Sequence, residues 1–158
     1  MEARLSAEPL DRRVLLAAAR RWIGTPYRHQ ASLKGAGCDC LGLIRGLWRE
    51  YLGDEPEPLP PYAPDWAEAV DGPEAETLLA AAERWLVPVS LHKRQPGDVL
   101  LFRWRDGAPV KHAGILSTGE QLIHAYERVG VIECPLGTAW ARRITHVFSF
   151  PGALPWQP

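Results

Sequence analysis

The stretch from 37 to 48, Gly-Cys-Asp-Cys-Leu-Gly-Leu-Ile-Arg-Gly-Leu-Trp, constrains this chain most. Apolar side chains recur at Leu41, Ile44 and Trp48, and at Leu43 and Leu47, which is a helical spacing. The helix is predicted to run from Cys40 to Leu52, with Gly53 ending it. Asp39 stands where an N-cap belongs, with a carboxylate able to accept from the first unpaired amides. Cys40 then lies in the first turn, against free N–H groups and the positive end of the helix dipole. Both favour thiolate over thiol. A thiolate is a nucleophile, so the segment reads as a reactive centre. Taken alone, it reads equally well as a capped helix with a small buried residue at its start.

The flanking segments set the fold class. Residues 9 to 23 predict a first helix, with Pro9 at its start, Leu10, Val14 and Ala18 on one face, and Gly24 as the stop. Residues 24 to 37 read as loop. Six prolines (Pro56, Pro58, Pro60, Pro61, Pro64 and Pro73) make 54 to 73 an extended, ordered connection, with Tyr62 and Trp66 as anchors. A third helix is predicted over 74 to 86, with Leu78, Leu79, Ala82 and Leu86 inward. Pro96-Gly97-Asp98 is a turn, and strands follow at 99–102, 110–116, 121–126, 129–134 and 144–150. Helices first and antiparallel strands second make an α+β chain, read as one domain over 1–158 with its N-terminal helices packed on the sheet.

Composition narrows the partners. The chain has 18 basic and 19 acidic residues and no basic stripe, so no nucleic-acid partner is expected. No run approaches the roughly 20 apolar residues of a membrane helix, and the first residues do not read as a signal peptide. Synthesis in a cytoplasm is expected. Cys38, Cys40 and Cys134 cannot all pair, which fits a reduced compartment and a working thiol. Cys134, at a strand end before Pro135, reads as a packing residue. Trp104, Trp140 and Trp156 fall near turns or segment ends, where an amphipathic ring lines a groove or packs a core.

His112 and His124 fall on consecutive predicted strands. A tight turn centred on Thr118 makes them direct cross-strand neighbours, about 5 Å apart at Cβ. A pairing shifted by two still keeps both on one face. A cysteine nucleophile needs a base, and the base needs a group that fixes its tautomer. Cys40, His112 and His124 supply that set if the helix N-terminus lies over the strands. The Cys40 backbone N–H is one oxyanion donor, and Tyr27, in the loop before the helix, is the candidate for the second.

These residues resemble the NlpC/P60 cysteine peptidases of bacterial cell walls, in particular the form found in phage tails and gene-transfer particles. The matching runs are Gly24-Thr25-Pro26-Tyr27, Asp39-Cys40-Leu41-Gly42-Leu43, Pro96-Gly97-Asp98-Val99-Leu100-Leu101-Phe102, His112-Ala113-Gly114-Ile115 and Ile123-His124-Ala125. The resemblance spans about residues 10 to 150. It implies a papain-like fold and cleavage of peptidoglycan stem peptides, commonly after γ-D-glutamyl. It also implies Cys40 as nucleophile, His112 as base, His124 as orienter and Tyr27 with Asp39 at the substrate loop, without a cofactor or metal. It further implies a place in a phage-like tail beside a hub protein. The chain departs from the common pattern at Leu41, where a serine usually follows the nucleophile, at Arg28-His29-Gln30, and in the proline-rich stretch. Two other readings stand beside it. One is a zinc module drawing on His29, Cys38, Cys40, His112 and His124, against which the short Cys-x-Cys spacing weighs. The other is a catalytically silent structural component of a tail.

Overall fold

Two arginine-bearing turns frame the first helix in the computed structural model, which describes residues 8–57 and 76–158. Helix α1 (Arg12–Arg20) begins later than the sequence predicts, because Asp11 caps it and accepts from the Arg13 amide. Its inward stripe is Arg12, Leu15, Leu16 and Ala19, at i, i+3, i+4 and i+7. Of the predicted face, Ala18 is buried as expected, Leu10 is buried but lies before the helix, bridged to Ala153, and Val14 is 47% exposed. A hydropathy pattern passes over an arginine, yet Arg12 is buried. Its guanidinium bonds Asp98 at 2.6 Å, the Pro96 carbonyl at 3.0 Å and the Leu154 carbonyl at 2.6 Å.

Helix α2 (Cys40–Tyr51) starts at the residue expected, with Leu52 as its C-cap and Gly53 in the left-handed region beyond it. The loop before it carries a small antiparallel pair, β1 (Ser32–Leu33) with β2 (Gly37–Cys38). Of the proline-rich connection only 54–57 is described, where the Trp48 indole donates to the Asp54 carbonyl. The expected anchors Tyr62 and Trp66, and the rest of that connection, lie outside the described residues. Helix α3 (Thr77–Trp85) turns Leu78 and Ala82 inward.

The strands are β3 (Val87–Val89), β4 (Val99–Arg103), β5 (Val110–Ser117), β6 (Gln121–Tyr126), β7 (Gly130–Pro135) and β8 (Ile144–Ser149). They form one antiparallel sheet in the order β3-β8-β4-β5-β6-β7. A short helix, α4 (Gly137–Ala141), joins β7 to β8. One sheet face packs Leu101, Ala113, Ile115, Ile123 and Phe148 against α1, α2 and α3. The other buries Leu100, Phe102, Leu116, Leu122 and Val147 under Leu136 and the half-buried Trp140. Strand β5 is covered along its whole length, so it is the centre of the core.

The β5–β6 register differs from the sequence prediction. The pairs are Ile115↔Ile123, Leu116↔Leu122 and Ser117↔Gln121, so the turn is centred on Gly119 rather than Thr118. A three-residue turn forms because Gly119 and Glu120 both take positive φ, at 66° and 55°. His112 and His124 are therefore offset by two positions, not directly opposed.

Candidate active site

The N-terminus of α2 is built as the sequence suggests. One Asp39 carboxylate oxygen accepts the Gly42 amide at 2.7 Å, the expected capping bond. The other accepts the Gln30 amide at 2.8 Å, which fastens the loop to the cap. Tyr27 runs beside Cys38 as an isolated bridge, with the Cys38 amide bonded to the Pro26 carbonyl and the Arg28 amide to the Cys38 carbonyl. The loop thus brings Tyr27 and Asp39 to the start of the helix.

Cys40 is 5% exposed. Its sulfur takes hydrogen bonds from the backbone amides of Leu41 and Ala113. The Ala113 amide is free for this because of the sheet. The Leu116 amide and carbonyl bond back toward Gly97 and Asp98, so Ala113 and Ile115 point their amides toward β6. The β5–β6 pairing ends at Ile115↔Ile123. Past that point the thiol, not a strand, receives the Ala113 N–H.

Next to Ala113 stands His112. Its Nε2 lies 2.7 Å from Nδ1 of His124, with the rings edge to face at 5.0 Å between centroids. The offset register permits this because the residue between them is Gly114. A Cβ there would come within 2.5 Å of Leu122 Cδ1 and 3.1 Å of His124 Cβ. With no side chain at 114, the His124 imidazole leans diagonally across to His112. The bond occupies Nε2 of His112 and leaves Nδ1 as the nitrogen available to a thiol.

Aromatic rings enclose the pair. Trp104 stacks on His112 at 5.3 Å, and Trp140 lies 5.5 Å from His112 and 5.0 Å from His124. Tyr126 packs on both His124 and Trp140. The groove-lining expectation for Trp104 and Trp140 thus has a concrete form as walls on the two imidazoles. Cys134 holds a position the sequence reading missed: its sulfur lies 3.5 Å from His124 Nε2. Strand alternation carries the signal, since Cys134 pairs with Leu122 and so shares a face with His124.

The electrostatics reverse one expectation. Burial, aided by the Asp39 carboxylate, pushes the Cys40 thiol up to about 12, although the two amide bonds act the other way. The predicted thiolate is therefore corrected to a thiol: enclosure outweighs the helix terminus. Burial, reinforced by His124, pushes His112 down to about 3, and burial pushes His124 down to about 4. Both imidazoles are neutral near pH 7. Burial, with Cys40 and Asp39 close by, also raises the Tyr27 phenol, so its hydroxyl stays a donor. Cys38 is fully buried in β2, outside the helix, and is pushed up to about 12 by burial. His29 lies in the loop, half-buried. Among the described residues, no three or more His, Cys, Asp or Glu side chains stand together as a set able to hold a metal ion.

A capped helix carrying a cysteine at its first position, laid over an antiparallel sheet, defines a papain-like α+β fold. Among the solved structures that share it are two NlpC/P60 domains. One is the NlpC/p60 domain of peptidoglycan hydrolase SagA (TM-score 0.63, 21% identity, 89% of this chain and 100% of that one). The other is an NlpC/P60 family protein from Bacillus cereus ATCC 10987 (TM-score 0.65, 18% identity, 92% and 42%). The family model of the NlpC/P60 family matches residues 24–149, and the chain belongs to that family. Among curated proteins it is 28% identical over 125 residues to a gamma-DL-glutamyl hydrolase of Bacillus subtilis (strain 168), aligning 77% of this chain. It is 27% identical over 119 residues to a probable endopeptidase NlpC of Escherichia coli (strain K12), aligning 75% of this chain. The matched region spans 25% of the length of the first relative and 64% of the second.

Proposed function

We propose that this chain is a cysteine endopeptidase that hydrolyses peptidoglycan stem peptides, at the bond between γ-D-glutamyl and the diamino acid. The observation that carries the reading is the 2.7 Å bond between His112 and His124, beside Ala113, whose amide reaches the Cys40 sulfur at a capped helix N-terminus. Family membership supports the substrate class, and a relative named as a gamma-DL-glutamyl hydrolase supports the choice of bond.

The chemistry follows from the positions. His112 Nδ1 takes the Cys40 proton as the sulfur attacks the γ-carbonyl. The oxyanion that forms meets the Cys40 backbone N–H at the positive end of α2, and the protonated Tyr27 hydroxyl is the second donor. His124 accepts the His112 Nε2–H and holds that ring in its working tautomer. His112 then returns the proton to the leaving amine, and water hydrolyses the thioester. Because thiol and imidazole are both neutral at rest, His112 acts as a true general base rather than as half of a standing ion pair.

Digestion of purified peptidoglycan, with mass spectrometry of the released fragments, tests this. Wild type is expected to free the diamino acid amine, Cys40→Ala to release nothing, and Cys38→Ala to keep most activity. Release unchanged in Cys40→Ala overturns the nucleophile. An inert wild type overturns the peptidase reading in favour of a silent structural component. Activity lost to a chelator and restored by zinc favours the zinc module.

The motif resemblance to the phage-tail form supports a further step, that the chain works in a phage-like tail beside a hub protein and opens the wall locally. A protein inventory of purified particles from the producing cell decides it. Absence of the chain from such particles overturns this placement and leaves the hydrolytic reading intact.

A further inference from the structure

His124 uses both ring nitrogens. Nδ1 meets His112 Nε2 at 2.7 Å, and Nε2 meets the Cys134 sulfur at 3.5 Å. The ring is 1% exposed, and among the described residues Cys134 is the partner of Nε2. Cys134 is held there by the sheet: it faces Leu122 across the β6–β7 ladder, while His124 faces Ile132. The two are diagonal neighbours on one face.

The proton positions along this chain are coupled. For His112 to receive a proton at Nδ1, its neutral ring must carry its own proton at Nε2. That N–H then donates to His124, whose Nδ1 must be bare. A neutral His124 with a bare Nδ1 carries its proton at Nε2 and points it at sulfur. The opposite arrangement has the Cys134 S–H donating to Nε2. It places a proton on His124 Nδ1, reverses the bond to His112, and leaves His112 protonated at Nδ1, where it has no lone pair for a thiol proton. The two arrangements have the same heavy-atom geometry and opposite function. What separates them is whether the group beyond His124 accepts.

We propose that Cys134 is a positioning residue: its sulfur accepts the His124 Nε2–H and so fixes the tautomers of both imidazoles. The assignment rests on the peptidase reading given above, which needs a bare Nδ1 on His112, and the NMR readout tests it apart from activity. Sulfur is a weak acceptor, so the effect is that of one net hydrogen bond, about five- to tenfold in rate.

The test uses the full chain with nitrogen-15 histidine and three variants. Cys134→Ser keeps an acceptor, Cys134→Ala removes it, and Cys134→Val removes it while retaining bulk. Long-range proton–nitrogen NMR at pH 7 reads which nitrogen of each ring is protonated. Wild type and Cys134→Ser are expected to show Nε2–H on both rings. Cys134→Ala and Cys134→Val are expected to show a mixture. In parallel, kcat on the released-peptide assay should fall about five- to tenfold in Cys134→Ala with KM unchanged, and recover in Cys134→Ser. A wild-type spectrum with His124 protonated at Nδ1, or an unchanged pattern in both Cys134→Ala and Cys134→Val, overturns the proposal. A wild type inert on peptidoglycan with the expected NMR pattern overturns the peptidase reading alone.

Discussion

Cys40 carries two opposing influences within one helical turn. The Leu41 and Ala113 amides favour its thiolate, while burial and the Asp39 carboxylate favour the thiol and prevail. Alkylation of Cys40 by iodoacetamide should therefore climb through the alkaline range, without the plateau below pH 7 that a standing thiolate–imidazolium pair gives. Asp39→Asn separates the causes. It keeps one acceptor at the cap but removes the charge and one of the two amide bonds. Stability should drop by about 1–2 kcal/mol, while Cys40 alkylation at pH 8 becomes faster. A rate equal to or below wild type would show that the carboxylate does not govern the thiol. The cap, the seat of Cys40 at the helix start and Tyr27's approach to it were legible in the sequence because each depends on residues close in the chain. The direction of the thiol shift was not, because it comes from enclosure by β5 and the loop, which no local pattern encodes.

At the scale of elements, the β5–β6 hairpin decides whether the two imidazoles meet. The sequence showed both histidines on one face of adjacent strands, since that needs only the alternation of side chains. The register was mistaken by two because a turn of three residues depends on Glu120 accepting positive φ, which glutamate gives no signal of. Gly114 absorbs the offset. Gly114→Ala should push against Leu122 and His124 and cost about 1–3 kcal/mol in urea unfolding. Hydrolysis should fall more than in a variant matched for stability, because the His112–His124 bond loosens. A variant with wild-type stability and activity would show that the space at 114 is not needed. Among the elements the sequence does not reveal, β1, β2, β3 and α4 span two to five residues each, too short for periodicity to register. Trp140 sits on α4, so its place as a wall on the histidines was reachable only from the folded chain.

Across the whole molecule, two buried polar centres face opposite directions in pH. Arg12 and Asp98 tie α1 to the turn before β4 and to the C-terminal segment at Leu154. Arg12 was passed over in the sequence because its burial depends on a partner far along the chain. Burial raises Asp98 even with Arg12 beside it, so the folded protein takes up that proton more readily than the unfolded chain. That contribution grows as pH falls toward the ordinary carboxylate range. The histidines act with the reverse sign. Their folded values, about 3 for His112 and about 4 for His124, lie below the ordinary 6.5. Unfolded chains bind those protons from about pH 6.5 downward, and the folded protein refuses them until its own depressed values. Their contribution is therefore fully present above pH 6.5 and is lost as pH falls toward 4. Between pH 7 and 5 each neutral imidazole accounts for about 2 kcal/mol of that loss. His112→Gln removes one of them, so its urea midpoint should fall about half as steeply over this interval. Asp98 is common to both proteins and cancels in the difference. Equal slopes in the two proteins, or a wild-type midpoint that does not move between pH 7 and 5, would show that the histidine pair is not held neutral by the fold.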